Sequence, residues 1–158
     1  MADPIDGFDR KILRLIQHDC HLKAEAIAEA VGLSASAVQR RLKRLRSDAV
    51  IAAEVAVLDR NRTGPLMTFI AGVEIERDNY DALPKFRLWL AKQQSIQQAY
   101  YVTGPIDVIL IILAQDIDAF DSLCSRMMAQ NPQIRRINTN VVLNVVKLGL
   151  NLPIDLLT

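Results

Sequence analysis

Two short amphipathic stretches separated by a single glycine, in the run Ala24 to Ser47 (AEAIAEAVGLSASAVQRRLKRLRS), constrain this chain more than any other feature. Ile27, Ala28 and Val31 form an apolar stripe that stops at Gly32. A second stripe of Val38, Leu42 and Leu45, at spacings of four and three, begins after Ser34. Such spacings predict one buried face on each of two helices. Gly32 tolerates positive φ and can end the first helix in a sharp turn, and the Ser34 hydroxyl can cap the second. At about 100° per residue, the face opposite the second stripe collects Ser36, Arg40 and Lys43, flanked by Gln39, Arg44 and, nearer the buried side, Arg41 and Arg46. That face carries no acid before Asp48.

A basic helical face is often no more than a solvated surface. Here it follows a helix and a glycine turn at helix-turn-helix spacing, and it mixes small polar residues with Arg and Gln. Such a helix suits the major groove of double-stranded DNA, where Arg and Gln make paired hydrogen bonds to base edges while Lys and further Arg neutralise phosphates. The span Ser34 to Arg46 is therefore predicted to be a recognition helix. Its candidate DNA-binding residues are Ser34, Ser36, Gln39, Arg40, Arg41, Lys43 and Arg44, with Ser36, Arg40 and Lys43 toward bases, Gln39 at the edge, and Arg41 and Arg44 nearer phosphates. The net charge of the whole chain is only +1, so its basic residues matter where they are concentrated.

With 158 residues, of which 51% are hydrophobic, the chain can bury one core or two small ones. A first helix is expected after Asp6, a plausible cap with Asp9 three residues on, and carries Ile12, Leu13, Leu15 and Ile16. His18, Cys20 and His21 follow, but two histidines and one cysteine so close do not easily present a tetrahedral metal set. Val50 to Leu58 reads as a strand attached to the head, and Asp59 to Pro65 (DRNRTGP) as a linker. Beyond it the pattern alternates: strand Met67 to Ile75, helix Asp78 to Gln94, strand Ile96 to Thr103, a Gly104-Pro105 turn, strand Asp107 to Ala114, helix Asp116 to Ala129, and a long strand Ile134 to Lys147 with Asn138, Asn140 and Asn144 on one face.

The expected class is α+β: a helix-turn-helix domain over 1–58, a linker over 59–65, and a ferredoxin-like βαββαβ domain over 66–158. Both helices of that second domain fall on one side of its sheet. The segment Val108 to Leu113 is apolar on both faces, whereas a one-sided sheet alternates, so the uncovered face predicts at least a homodimer. No apolar run is long enough for a membrane span, and the opening MADPIDGFDRK is acidic where a secretory signal is basic and then apolar. A cytoplasmic protein with reduced Cys20 and Cys124 and no cofactor is expected.

Four stretches, IDGFDRKILRLIQHD, IAEAVGLSASAVQRRLKRL, YYVTGPIDVIL and IRRINTNVVLNVVK, occur in this order between about Ile5 and Ile154. Together they resemble the Lrp/AsnC family of feast/famine transcription regulators. The resemblance implies a winged helix-turn-helix followed by a RAM-type domain that dimerises and often assembles into octamers. It also implies a small effector, usually an amino acid, bound between subunits near the turn that corresponds to Thr103, Gly104 and Asp107. Gly104 would let backbone N–H groups approach a carboxylate and Asp107 would face an ammonium; equally, these residues can merely shape their own hairpin. Tyr101, Asn138 and Asn140 complete the candidate effector set. Two positions depart from the family pattern: Ala49 stands where relatives commonly carry Gly, and Pro105 lies in the effector turn. Two other readings of the same architecture are a siroheme decarboxylase, which uses histidine chemistry although this chain has no His after His21, and an effector-independent DNA-wrapping protein.

Overall fold

The computed structural model describes residues 4–76 and 83–156. These fall into two units, one containing residues up to Val57 together with the segment from Lys147, the other spanning Leu58–Val146.

The head is built from α1 (Gly7–Ile16), α2 (Ala24–Val31) and α3 (Ala35–Ser47). Asp6 and Asp9 form a reciprocal capping box at the start of α1: each carboxylate accepts the other's backbone N–H, at 2.8 and 3.1 Å. Gly32 ends α2 at φ 75°, ψ 41°, a left-handed conformation that glycine adopts at little cost. Ser34 then caps α3, its hydroxyl accepting from the Ala37 N–H at 3.2 Å. The apolar stripes meet in a core of Ile12, Ile27, Ala28, Val31, Val38 and Leu42.

Two expectations about the head change. Val50 to Leu58 forms no strand, and Val55, Val57 and Leu58 are exposed. The head contains no other strand among its described residues, so this segment has no ladder within its unit to join. The second change concerns the C-terminal boundary, because the segment from Lys147 belongs to the head rather than to the sheet unit. Ile154, in a 3-10 turn (Ile154–Leu156), is buried with Leu13 and Leu45. Gln17 clasps the Leu152 backbone from both sides, accepting its N–H at 2.6 Å and donating to its carbonyl at 3.3 Å. His18 Nδ1 lies 3.2 Å from Asn151 Nδ2.

The sheet unit opens with α4 (Arg60–Thr63), a single turn within the expected linker. Arg60 ties it down by donating to Thr68 Oγ1 and Gln97 Oε1 at 3.2 and 3.0 Å. There follow β1 (Met67–Ile75), α5 (Leu83–Leu90), β2 (Ile96–Tyr101), β3 (Val108–Ala114), α6 (Ile117–Gln130) and β4 (Ile134–Val141). The expected helix start at Asp78 lies outside the described residues. β4 ends at Val141, short of the expected Lys147, so Asn144 lies beyond it. The sheet is antiparallel in the order β2-β3-β1-β4, as the ferredoxin-like reading requires.

Alternation, strict on β3 and interrupted on β1 by the buried Gly72, decides which side chains enter the core. Phe69, Ala71, Val73 and Ile75 join Val108, Leu110 and Ile112 against Phe86 and Leu90 of α5 and Phe120, Leu123 and Met127 of α6. The Phe69 and Phe120 rings stack with centroids 4.1 Å apart. Both cysteines are free thiols, and burial pushes the Cys124 thiol up to about 11. The opposite face carries Ile70, Ile109, Ile111, Leu113 and Tyr100, half-buried or exposed, with no helix packed over them among the described residues.

Candidate functional site

Along α3, Ser36, Gln39, Arg40 and Lys43 are exposed while Val38, Leu42 and Leu45 are buried. Among the described residues no carboxylate pairs with Arg40 or Lys43. Ser34, in the candidate set, is engaged as the α3 cap and lies 3.1 Å from the Ser36 hydroxyl. The face is therefore polar, cationic and exposed, as a groove-binding surface requires.

Arg41 and Arg44, expected nearer phosphates, turn the other way. Arg41 Nη1 donates to Asp9 Oδ1 at 2.8 Å and to Asp6 Oδ2 at 2.7 Å, and its guanidinium stands over the Phe8 ring at 5.6 Å. Arg44 Nη2 donates to the other Asp9 oxygen. Asp9 is fully buried, and a buried carboxylate must be paired. The N–H of Asp9, and then Arg41, hold the Asp6 carboxyl below its ordinary range, while Asp6 and Asp9 raise Arg41 above its own. Arg46 pairs with Glu54 at 2.7 Å. The sequence did contain a signal for this cluster: Asp9 lies three, four and seven residues before Ile12, Leu13 and Ile16, on the stripe that faces the core.

In the sheet unit the candidate effector residues separate. Thr103 and Gly104 are exposed in the β2–β3 turn, with Gly104 at φ 118°. Asp107 is fastened to β1, its N–H donating to the Val73 carbonyl at 3.0 Å and its carboxylate accepting the Ile75 N–H at 2.7 Å. Asn138 and Asn140 sit opposite Gly72 and Ile70 on the face free of helices. The Asn138 amide donates to Glu74 Oε1 at 2.8 Å, and Asn140 is exposed. Tyr101, paired opposite the buried Val108, belongs to the other face and lines a cleft of about 650 Å³ beside α5. It does not join the two asparagines. Sequence reasoning also passed over Gly72: a Cβ there would meet Ile106 Cδ1 at 2.6 Å, so the missing side chain lets the turn fold onto the sheet beside Asn138.

A helix-turn-helix head on a separate four-stranded sheet domain defines the class, a DNA-binding protein with a second domain for other tasks. Comparison with known proteins agrees. Residues 5–46 match the AsnC-type helix-turn-helix domain and residues 68–152 the Lrp/AsnC ligand binding domain. A helix-turn-helix-type transcriptional regulator of Sinorhizobium fredii is 36% identical over 98% of this chain and 92% of its own length. The crystal structure of an AsnC family regulator from Agrobacterium tumefaciens is 29% identical, covers 95% of this chain and 97% of that one, and superposes with a TM-score of 0.87. A Neisseria meningitidis regulator solved in complex with L-methionine shares the fold at 24% identity, with a TM-score of 0.88 over 98% of this chain and 100% of that one. The chain belongs to the Lrp/AsnC family of transcriptional regulators. Among the described residues, no helix is long and apolar enough to cross a membrane.

Proposed function

We propose that this regulator binds double-stranded DNA sequence-specifically through α3, and that a small effector, an amino acid, alters its assembly or its affinity for DNA. The observation that carries the reading is the asymmetry of α3, where Arg40 and Lys43 stand exposed beside Ser36 and Gln39 while Arg41 and Arg44 are paired inward to Asp9 and Arg46 pairs with Glu54 at the surface. Ser36, Gln39, Arg40 and Lys43 are the base and phosphate contacts in this reading. The exposed apolar face of the sheet supports a homodimer built sheet against sheet, and the family resemblance extends this to octamers. For the effector, support comes from the turn at Thr103, Gly104 and Asp107 and from its neighbour Asn138, in a domain type named for ligand binding. The same fold holds L-methionine in the Neisseria protein.

The mechanism is linkage: an effector bridging subunits shifts DNA binding only by its difference in affinity for the two assemblies. The test is a thermal melt of the purified protein against each common amino acid at millimolar concentration. A ligand at about 100 times its dissociation constant stabilises by roughly 2.7 kcal/mol, a visible shift. A hit that also changes the protein's dissociation constant for DNA supports the reading. If no amino acid shifts the melt, the effector assignment fails and DNA binding without an amino-acid effector remains.

A further inference from the structure

We propose that Asp9 is a positioning residue for DNA recognition, fixing the rotation and axial register of α3 through Arg41 and Arg44, and that neither arginine contacts DNA. The inference rests on α3 being the helix that enters the groove.

The two carboxylate oxygens of Asp9 receive separate anchors, Arg41 on Oδ1 and Arg44 on Oδ2. Arg41 and Arg44 lie three positions apart, nearly one turn and about 4.5 Å along the helix axis. Two anchors at different heights on the same side define a line, so α3 can neither roll about its axis nor slide past α1 without breaking one of them. Arg40 and Lys43 each stand one residue before an anchor, about 100° around the helix, and so the same fork that draws Arg41 and Arg44 inward sets the direction in which Arg40 and Lys43 leave.

Asp9 itself cannot follow a displaced α3. Its side chain is fully buried, and it is held in the capping box by the Asp6 N–H at 3.1 Å. Asp6 adds a second acceptor for Arg41, at 2.7 Å, and Phe8 lies beneath the same guanidinium. An arginine leaving for a phosphate would abandon a buried carboxylate, a poor exchange for a screened contact at the DNA surface. Lysine cannot replace these arginines, because only a guanidinium presents several donors in a rigid fork.

The experiment measures binding of DNA selected from a random pool by the unaltered protein, and of a scrambled duplex, across a range of salt concentration. Removing one phosphate contact lowers the salt slope by about 0.9 per head, whereas a misaimed helix lowers the ratio of specific to scrambled affinity. Arg41→Lys, Arg44→Gln and Asp9→Asn are each expected to leave the slope unchanged while the specificity ratio falls about tenfold, the worth of one base pair. Arg41→Lys keeps the charge and guards against loss of folding, which a melt of each variant reports.

A slope reduced by about 0.9 per head in Arg44→Gln, with the ratio retained, would make that arginine a phosphate contact and overturn the proposal. So would a lowered melting temperature in all three variants with slope and ratio both unaltered, the sign of a purely structural ion cluster. Arg40→Gln, outside the cluster, tests the underlying reading separately: binding unaffected by that change would show that α3 is not the recognition helix.

Discussion

In the head, a buried ion cluster ties α1 to α3 beside a small apolar core, whereas the sheet unit relies on apolar alternation and leaves one face without a helix among the described residues. The head buries Asp9 between two arginines and turns polar side chains outward on α3. The sheet unit buries Phe69, Phe86, Leu110, Ile112 and Met127 completely or nearly so, yet Ile70, Ile109, Ile111 and Leu113 on its other face have no helix over them among the described residues. Ion pairs are directional and set where a side chain points, which suits a DNA reader; an apolar face is non-directional and adaptable, which suits the proposed homodimer.

The largest effect that separates the two units is expected from Phe69→Ala, which removes a buried ring stacked on Phe120. It should cost about 3–5 kcal/mol and lower the melting transition of the sheet unit while sparing that of the head, as read by calorimetry. A smaller effect of opposite address is expected from Ile154→Ala, which should cost the head about 2 kcal/mol and leave the sheet transition in place. If both substitutions move one common transition equally, the two units do not stand on separate cores and the comparison breaks. The smallest change sharpens it: Ala49, just past α3, is held at φ 55°, a conformation costly for any residue with a Cβ. Ala49→Gly is expected to stabilise the head by about 0.5–1 kcal/mol after the extra unfolded-state entropy of glycine is counted, measured as a small rise in its denaturation midpoint.

Much of this fold was legible in the residues because its periodicities are clean. The two stripes around Gly32 gave both helices and the turn, and the alternation from Met67 to Ile75 gave β1 with its bounds. What escaped depended on partners far away in sequence. Val50 to Leu58 has the composition of a strand but no ladder within its unit. Beyond β4 the chain holds to the head through Gln17, which bonds the Leu152 backbone, and through Ile154, buried with Leu13 and Leu45. Tyr101 was grouped with Asn138 and Asn140, yet an irregularity between Ile96 and Gln98 shifts the pairing, so it faces the same side as Ile96 despite odd spacing. Asp9 could have been suspected, since an acid on a core-facing stripe demands a cation. Which cations answer it, Arg41 and Arg44 of α3, depends on how two helices pack together whose paired residues lie 32 and 35 positions apart in sequence.

The return of Ile154 to the head also has a consequence in time. Ile154 follows Leu45 by 109 positions, and a ribosome adding about 5–20 residues per second needs roughly 5–20 s to cover that distance. Throughout that interval the nascent head lacks the side chain that completes the cluster of Leu13 and Leu45, so this part of its core closes only after the whole sheet unit has been synthesised.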